Sequence, residues 1–390
     1  MERDLDRSKA VALRDLIQER RGAMLALTRE LVETESPSGD AEGSGAVAAL
    51  LAEAASEITA VTSVERIESA GEGEHLCIRA FEQAKDDSGS IMLVGHTDTV
   101  HPRGSLGERP WRESDGRIYG PGIFDMKANC ALALEAVRAC AALDLIPRRR
   151  IVIMLTCDEE TGSDRGRLLL EAEAAGASCA LVLEPPAPGG RVKTARKGTG
   201  IFTLEARGRA AHAGLEPEKG ASAILEMARQ IERLHGLNDP ARGTTVNVGV
   251  IRGGTRSNVV AAEAHAEIDV RFSTQNEASR IDAEIRRARP FDERVQLTVR
   301  GGINRPPLER NRGVVTLYNH ARRIAALLDF ELGEASVGGA SDGNFIAAAG
   351  VAVLDGLGLN GDGAHAEHEH ILTDDIATRG ALLAGLIATL

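Results

Sequence analysis

Two hydrophobic periods alternate along the chain and predict its elements. Apolar residues recur at helical spacing over residues 8–34, 44–57, 127–143 and 164–174. Short continuous apolar runs occupy residues 91–94, 150–156 and 180–183. Such runs are typical of strands buried on both faces, and their alternation with helices predicts βαβ units around a mostly parallel sheet.

The pattern changes near Gly198, where apolar and polar residues alternate more clearly. Half-buried strands are predicted over residues 201–208, 244–251, 261–272 and 295–300, with helices over 221–234 and 277–289. Beyond residues 306–307 the pattern returns to a helix over 314–328, an apolar run over 351–354 and a helix over 373–389. We therefore expect an α/β catalytic, metal-binding domain formed by residues 1–198 and 309–390. A smaller α+β domain would be inserted at 199–308.

Composition narrows the class of protein. The 390 residues carry 46 Lys and Arg against 58 Asp and Glu, a formal net charge of −12, which argues against a nucleic-acid partner. No apolar run approaches the ~18 residues of a membrane helix, and the charged N-terminus lacks a secretory apolar region. The five cysteines form no C-x-x-C pair. We expect free, buried thiols in a cytoplasmic protein with no membrane partner.

Histidines and carboxylates follow the predicted strands. Five segments deliver them: His96 and Asp98, Asp125, Glu159 and Glu160, Glu184, and His365. Ligands of open α/β sheets bind at the carboxyl ends of the strands, so these side chains should share one edge. Singly, each has an ordinary alternative, such as a helix N-cap for Asp125 or a solvated turn for Glu184. Together, the carboxylates would repel one another unless a cation neutralised them, which predicts a shared metal site.

Spacing suggests roles within that site. On an extended segment His96 and Asp98 point to the same side, so Asp98 can accept from the imidazole N–H that is not on the metal. Glu159 and Glu160 should diverge, so that one binds metal while the other faces the attacking water. Mixed histidine and carboxylate ligands favour zinc, with Co²⁺ or Mn²⁺ as alternatives. Two ions ~3.5–4 Å apart would polarise a carbonyl and activate water near neutral pH.

Seven segments carry a family resemblance that covers nearly the whole chain. They are GHTDTVHPRG (95–104), YGPGIFDMKANCAL (119–132), DEETGS (158–163), LEP (183–185), AHAG (211–214), GGTRSNVVA (253–261) and GAHAEHEHI (363–371). The chain resembles the dinuclear zinc aminoacylase and carboxypeptidase family, which includes glutamate carboxypeptidase, acetylornithine deacetylase and succinyl-diaminopimelate desuccinylase. The GPGIFDMK and VRGG segments look most like the glutamate carboxypeptidase branch.

The resemblance implies a zinc exopeptidase type of fold and two Zn²⁺ per chain. One ion would be held by His96 and Glu184, the other by Glu160 and His365, with Asp125 bridging both. Glu159 would be the general base, Asp98 the orienting acid, and the peptide after Asp125 would be cis. The inserted domain would act as a lid and form a homodimer. The residues implied on the substrate side are His212, which would reach the partner's site and hold the oxyanion, Asn258, Arg271 and Arg300.

The resulting prediction is hydrolysis of an amide or peptide bond next to a free carboxylate in a small acyl-amino-acid or peptide substrate. An N-acyl-amino-acid deacylase is the alternative, followed by a non-catalytic, metal-stabilised binding protein. A serine hydrolase is a further rival, because residues 339–343 read G-x-S-x-G with Asp362 and His365 downstream. However, no apolar strand precedes that segment, which could instead be a helix N-terminus that binds the substrate carboxylate. His101, His368 and His370 are expected not to be ligands.

Overall fold

The computed structural model describes residues 5–84, 86 and 88–390. The chain divides into two compact units. The first unit comprises Met1–Thr194, Arg310–Val337 and Ser341–Leu390, and the second comprises Ala195–Glu309 with Gly338–Ala340.

The helices of the described residues are α1 (Arg7–Glu33), α2 (Ala41–Ser56), α3 (Ser105–Glu108), α4 (Ala128–Ala142), α5 (Gly166–Ala174), α6 (Ala223–His235), α7 (Gln275–Arg286), α8 (Arg312–Leu327), α9 (Gly343–Ala348) and α10 (Ile376–Thr389). Among them, none has both the length and the apolar character needed to cross a membrane.

The strands of the described residues are β1 (Val61–Ser69), β2 (Gly73–Ala80), β3 (Ser90–His96), β4 (Arg112–Ser114), β5 (Arg117–Tyr119), β6 (Ile151–Thr156), β7 (Ala177–Val182), β8 (Val192–Arg196), β9 (Gly198–Arg207), β10 (Thr245–Gly253), β11 (Glu263–Phe272), β12 (Gln296–Arg305), β13 (Glu334–Val337), β14 (Ala352–Leu354), β15 (Gly361–Asp362) and β16 (His370–Leu372).

The first unit is built on a six-stranded sheet with the order β1-β2-β6-β3-β7-β14. Strands β6, β3, β7 and β14 run parallel, and every residue of β3 and β6 is buried, as continuous apolar strands require. Helices α1, α4 and α10 pack against one another and contribute to the same apolar core. Because the four strands are parallel, their carboxyl ends meet at one edge.

Two features of the first unit lie outside the predicted pattern. Strands β1 and β2 add an antiparallel edge to the sheet, since β2 pairs antiparallel with β6 and β1 with β2. A small sheet with the order β15-β16-β5-β4 joins the tail of the chain to the segment before Asp125. Its strands are only two or three residues long, which is too short for a period to be read from the sequence.

The second unit is an antiparallel sheet with the order β10-β11-β9-β12, covered by α6 and α7. Alternate residues of β9 and β11, such as Phe202, Leu204, Ile268 and Val270, form its apolar core. The predicted fold class is thus confirmed: a mostly parallel, helix-flanked sheet with an inserted α+β segment.

Candidate active site

Three of the predicted site residues follow the carboxyl ends of neighbouring parallel strands. His96 is the last residue of β3, and its backbone pairs with Thr156 at the end of β6. Glu159 opens a single helical turn, Glu159–Thr161, three residues after β6. Glu184 lies two residues after the end of β7. The parallel arrangement therefore brings one histidine and two carboxylates to the same edge.

Asp125 is held in a tight turn, Ile123–Lys127, that precedes α4. Gly122 enters this turn with φ of 71°, and a Cβ built there would lie 2.4 Å from Thr99 Cγ2, so glycine is needed. The peptide bond between Asp125 and Met126 is cis, as the resemblance predicted. After the turn, the buried ammonium of Lys127 donates to the carbonyl oxygens of Leu31 at 2.8 Å and Thr34 at 2.6 Å.

The carboxylates and the two histidines form one cluster. His96 Nε2 lies 3.1 Å from Asp125 Oδ1 and 3.6 Å from Glu184 Oε1. His365 Nε2 lies 3.4 Å from Asp125 Oδ2 and 3.2 Å from Glu160 Oε1. Asp125 therefore sits between the two imidazoles, with one oxygen facing each.

Glu159 and Glu160 belong to different groups of donor atoms within this cluster. Donor atoms of His96, Glu159 and Glu184 all lie within 4.8 Å of one another, and those of His96, Asp125 and Glu160 form a second such group. The structure thus brings together all of the predicted site residues that belong to the first unit.

Asp98 orients three parts of the cluster at once. Its Oδ1 accepts from the Glu159 N–H at 3.2 Å, and its Oδ2 accepts from the Glu160 N–H at 3.1 Å. Nδ1 of His96 lies 3.0 Å from the carbonyl oxygen of Asp98 and 3.4 Å from its Oδ1. The hydroxyl of Ser38 donates to Asp98 Oδ2 at 2.6 Å. Sequence reasoning identified Asp98 but missed Ser38, whose only signal was its place in a turn cluster.

The residues of the cluster strongly shift one another's pKa values. Burial opposes protonation of His96, but hydrogen bonds to Asp125, Asp98 and Glu184 hold its pKa well above the ordinary value. Burial likewise acts against ionised Asp125, yet His365 and His96 hold its pKa well below the usual range. Hydrogen bonds to Asp125 and Glu160 raise the pKa of His365 to about 10. Burial raises the pKa of Glu160.

These residues fit a metal ion. A neutral His96 that donates from Nδ1 to Asp98 aims its Nε2 lone pair at the oxygens of Asp125 and Glu184, which is repulsive without a cation between them. Oε1 of Glu160 is buried and faces Nε2 of His365 at 3.2 Å, so a cation between the two atoms would be held by both. Imidazole nitrogens and carboxylate oxygens are the donors that zinc and similar divalent ions take.

Among the predicted residues of the second unit, His212 and Asn258 lie close together, whereas Arg271 and Arg300 lie apart. Nδ1 of the exposed His212 accepts from the N–H groups of Gly214 at 3.1 Å and Leu215 at 3.2 Å. The proton of the neutral ring therefore lies on Nε2, which makes that atom a donor. Asn258 is adjacent, because its carbonyl oxygen accepts from the Ala213 N–H at 3.0 Å.

Arg271 and Arg300 lie on the same face of the sheet but at different positions along the strands. Arg271 pairs in register with Thr199 of β9, and Arg300 with Thr203, four residues further along. They are thus separated by about 13 Å along the strand direction. Both guanidinium groups already face carboxylates, Arg271 that of Asp269 at 2.9 Å and Arg300 that of Glu205 at 3.3 Å.

The serine-hydrolase alternative fails on geometry. Ser341 is fully buried, and its hydroxyl donates to Asp355 at 2.7 Å instead of contacting a histidine. His365 faces Asp125 and Glu160 instead. The backbone N–H groups of Ser341 and Gly343 bond to side chains of the same loop, so neither is available to bind a substrate carboxylate.

The three histidines that were expected not to be ligands contact other groups. His101 contacts Glu369 at 2.5 Å, His370 packs at 5.1 Å from the ring of Tyr119, and His368 is exposed. Sequence reasoning missed Glu369, which bonds to the turn that carries Asp125; its position four residues after His365 was the only signal.

The chain matches a known peptidase family and is similar to known hydrolases over much of its length. Residues 92–389 match the model of peptidase family M20/M25/M40. Carboxypeptidase G2 of Pseudomonas sp. (strain RS-16) is 29% identical over 385 residues, which span 94% of this chain and 89% of that protein. Acetylornithine deacetylase of Myxococcus xanthus is 36% identical over 195 residues, 45% of this chain and 49% of that protein. The crystal structure of aminopeptidase PepT from Bacillus cereus ATCC 10987 is 25% identical with a TM-score of 0.79, covering 95% of this chain and 98% of that chain.

Proposed function

The chain belongs to peptidase family M20/M25/M40 and is a metal-dependent hydrolase, and from this premise we propose that it cleaves an amide or peptide bond next to a free carboxylate. The observation that carries the proposal is the similarity to carboxypeptidase G2, which extends over 94% of the chain. The substrate is a small peptide or acyl-amino acid.

We place two Zn²⁺ ions in the cluster, with Co²⁺ or Mn²⁺ as alternatives. His96 and Glu184 would hold one ion, Glu160 and His365 the other, and Asp125 would contact both. Besides the orienting Asp98, four carboxylates surround the two imidazoles, and two divalent cations would balance the charge of these four, Asp125, Glu159, Glu160 and Glu184. When bound, such ions lower the pKa of water and polarise a carbonyl group.

Glu159 is the general base of this proposal. It is buried and lies within the group formed with His96 and Glu184, and its backbone is fixed by Asp98. Its carboxylate takes the proton of the attacking water and returns that proton to the leaving amine. Asp98 keeps both the Glu159–Glu160 turn and His96 in orientation.

His212 of the partner subunit would donate from Nε2 to the oxyanion, and Asn258 would line the same pocket. This role requires a homodimer formed by the second unit. Two features support association: β10 lies at an edge of its sheet, and the neighbouring apolar side chains Ile224, Leu225 and Ile251 are 43%, 54% and 54% exposed.

Arg271 and Arg300 are the proposed partners of the substrate carboxylate. Because about 13 Å separates their backbone positions along the strand direction, and each guanidinium already pairs with a different carboxylate, we propose that only one of them contacts the substrate carboxylate. Substitution of each arginine in turn by methionine should raise the KM in one case only.

A deacylase is the second candidate, since the identity to acetylornithine deacetylase is higher, 36%, although it spans only half of that protein. The test is amine release from a panel of N-acyl-amino acids and dipeptides, with zinc and with chelator. The carboxypeptidase proposal predicts zinc-dependent release with the highest kcat/KM for substrates ending in glutamate, and loss of turnover when that carboxylate is amidated. Preference for N-acetylornithine would establish the deacylase instead.

A cytoplasmic location is proposed on the state of the cysteines. All five, Cys77, Cys130, Cys140, Cys157 and Cys179, are free and buried. Free thiols are typical of proteins in reducing compartments.

A further inference from the structure

Glu369 is a buried carboxylate that the proposed reaction does not use. Its side chain is only 1% exposed, and both oxygens accept hydrogen bonds from the turn that carries Asp125. Oε1 accepts from the N–H groups of Phe124 and Asp125, each at 2.9 Å, and Oε2 accepts from the Gly122 N–H at 2.8 Å. Three backbone donors from one short turn thus converge on a single side chain.

A fourth donor completes the site of this carboxylate. Nε2 of His101 lies 2.5 Å from Glu369 Oε2, while the guanidinium nitrogens of Arg109 approach His101 Nδ1 at 3.4 Å. Because arginine can only donate, Nδ1 is the acceptor and the proton of His101 lies on Nε2, directed at Glu369. Four donors suit a carboxylate, because its two oxygens offer acceptors on both sides.

The same segment carries His365, four residues earlier. Its backbone folds back through the bonds Ala366 N–H to Gly363 O at 2.8 Å and Glu369 N–H to Ala366 O at 3.3 Å. The carbonyl oxygen of Glu369 also accepts from the Gly120 N–H at 3.4 Å. Glu369 therefore joins the loop of one histidine of the cluster to the turn of the carboxylate that lies between both histidines.

We propose that Glu369 is a positioning residue that sets the zinc affinity of the cluster. It fixes the backbone N–H groups of Gly122, Phe124 and Asp125, and thereby the placement of the Asp125 side chain between His96 and His365. The inference rests on the metal centre of the proposed function. Glu369 itself touches neither substrate nor metal.

Glu369→Gln is the direct test. The amide keeps one oxygen, but its NH₂ group must face either the N–H groups of Phe124 and Asp125 or those of Gly122 and His101. In both orientations two donors face a donor, and at least one backbone N–H loses its acceptor. Changes of this kind around metal ligands cost about 10- to 100-fold in metal affinity or activity. We expect zinc affinity, measured by competition with a chromogenic chelator, to fall by that factor, with kcat reduced and KM changed less than about threefold.

Three further variants separate positioning from a general loss of stability. Glu369→Asp keeps the charge and should bind zinc more tightly than the Gln variant. His101→Gln leaves the three backbone bonds in place and should have the smaller effect. Leu386→Ala removes a fully buried side chain of α10 elsewhere in the core and should lower thermal stability while leaving zinc affinity unchanged. If Glu369→Gln does not fold, the order of zinc affinity among wild type, Glu369→Asp and His101→Gln decides the question.

Zinc affinity of Glu369→Gln equal to that of the wild type would overturn the inference, as would an equal loss in Leu386→Ala. A wild type that binds zinc but hydrolyses no member of the substrate panel would refute the proposed function alone, since the zinc titrations would still decide the role of Glu369. A wild type that binds no zinc would refute both.

Discussion

Replacing Asp98 with asparagine perturbs the cluster without changing its size. The carboxylate has two sets of partners: Oδ1 faces the Glu159 N–H and Nδ1 of His96, and Oδ2 faces the Glu160 N–H and the Ser38 hydroxyl. An amide NH₂ at the Oδ1 position would oppose two donors. At the Oδ2 position it would oppose only the Glu160 N–H, because a hydroxyl can turn and accept. The second orientation should therefore prevail.

The expected cost follows from that orientation. One buried backbone N–H without an acceptor costs about 1–3 kcal/mol, and the remaining bonds lose the roughly twofold advantage of a charged acceptor, about 1 kcal/mol more. The sum is about 2–4 kcal/mol. If it falls on the transition state, kcat/KM should decrease about 30- to 1,000-fold, since 1.36 kcal/mol corresponds to a factor of ten.

The assay is kcat/KM on the best substrate of the panel, together with zinc content. Asp282→Asn is the matched control, because Asp282 pairs with Arg286 on the surface of α7 and should leave activity unchanged. Adding Ser38→Ala to Asp98→Asn should lower kcat/KM by more than the two single changes predict. In the Asp98→Asn variant the Ser38 hydroxyl accepts from the new amide NH₂ group, and alanine would remove that acceptor. A kcat/KM of Asp98→Asn within twofold of wild type would refute this reasoning.

Three further predictions concern stability and assembly. Lys127→Met removes the donor of one buried and one half-buried carbonyl oxygen at the end of α1, those of Leu31 and Thr34. It should lower the free energy of unfolding by about 2–4 kcal/mol, whereas the exposed Lys219→Met should not, and equal urea midpoints would contradict this. Hydrogen bonds from Arg280 lower the pKa of Glu277 to about 2 from an ordinary 4.5, so this carboxyl stabilises the fold above pH 4.5 and loses that contribution as the pH falls towards 2. Glu277→Gln should therefore destabilise the protein by about 1–2 kcal/mol at pH 7, with the gap to wild type narrowing between pH 5 and 3; a gap independent of pH would disprove the cause. If the proposed dimer forms through β10, Ile251→Lys should convert it into monomers in sedimentation, and an unchanged dimer mass would exclude β10 as the interface.

The parts of the fold that could be predicted are those with a strong period. Strands β3 and β6 are continuous apolar runs, and the residues that follow them, His96 and Glu159, could be assigned to one edge because parallel strands share their carboxyl ends. By contrast, buried and exposed positions alternate irregularly along β1, and the strand is half exposed. Its sequence therefore does not show the hydrophobic pattern that would predict a strand paired with β2.

Roles that depend on backbone hydrogen bonds escaped prediction. Spacing alone does not distinguish His365 from His368 and His370, and the resemblance supplied that choice. Glu369 was passed over because its partners, the N–H groups of Gly122, Phe124 and Asp125, lie more than 240 residues away in the chain. Backbone N–H groups are the same in nearly every residue type, so the sequence does not show which of them a carboxylate will contact.

The role of Glu159 is the central claim, because the cluster groups this residue with His96 and Glu184 and so admits both a base and a ligand. The decisive measurement is kcat and zinc content of Glu159→Gln beside the surface control Glu171→Gln. The account predicts unchanged zinc content with kcat lowered about 100- to 10,000-fold in Glu159→Gln, and no change in the control. Loss of zinc in proportion to activity would make Glu159 a ligand, and turnover at the wild-type rate would remove it from the reaction.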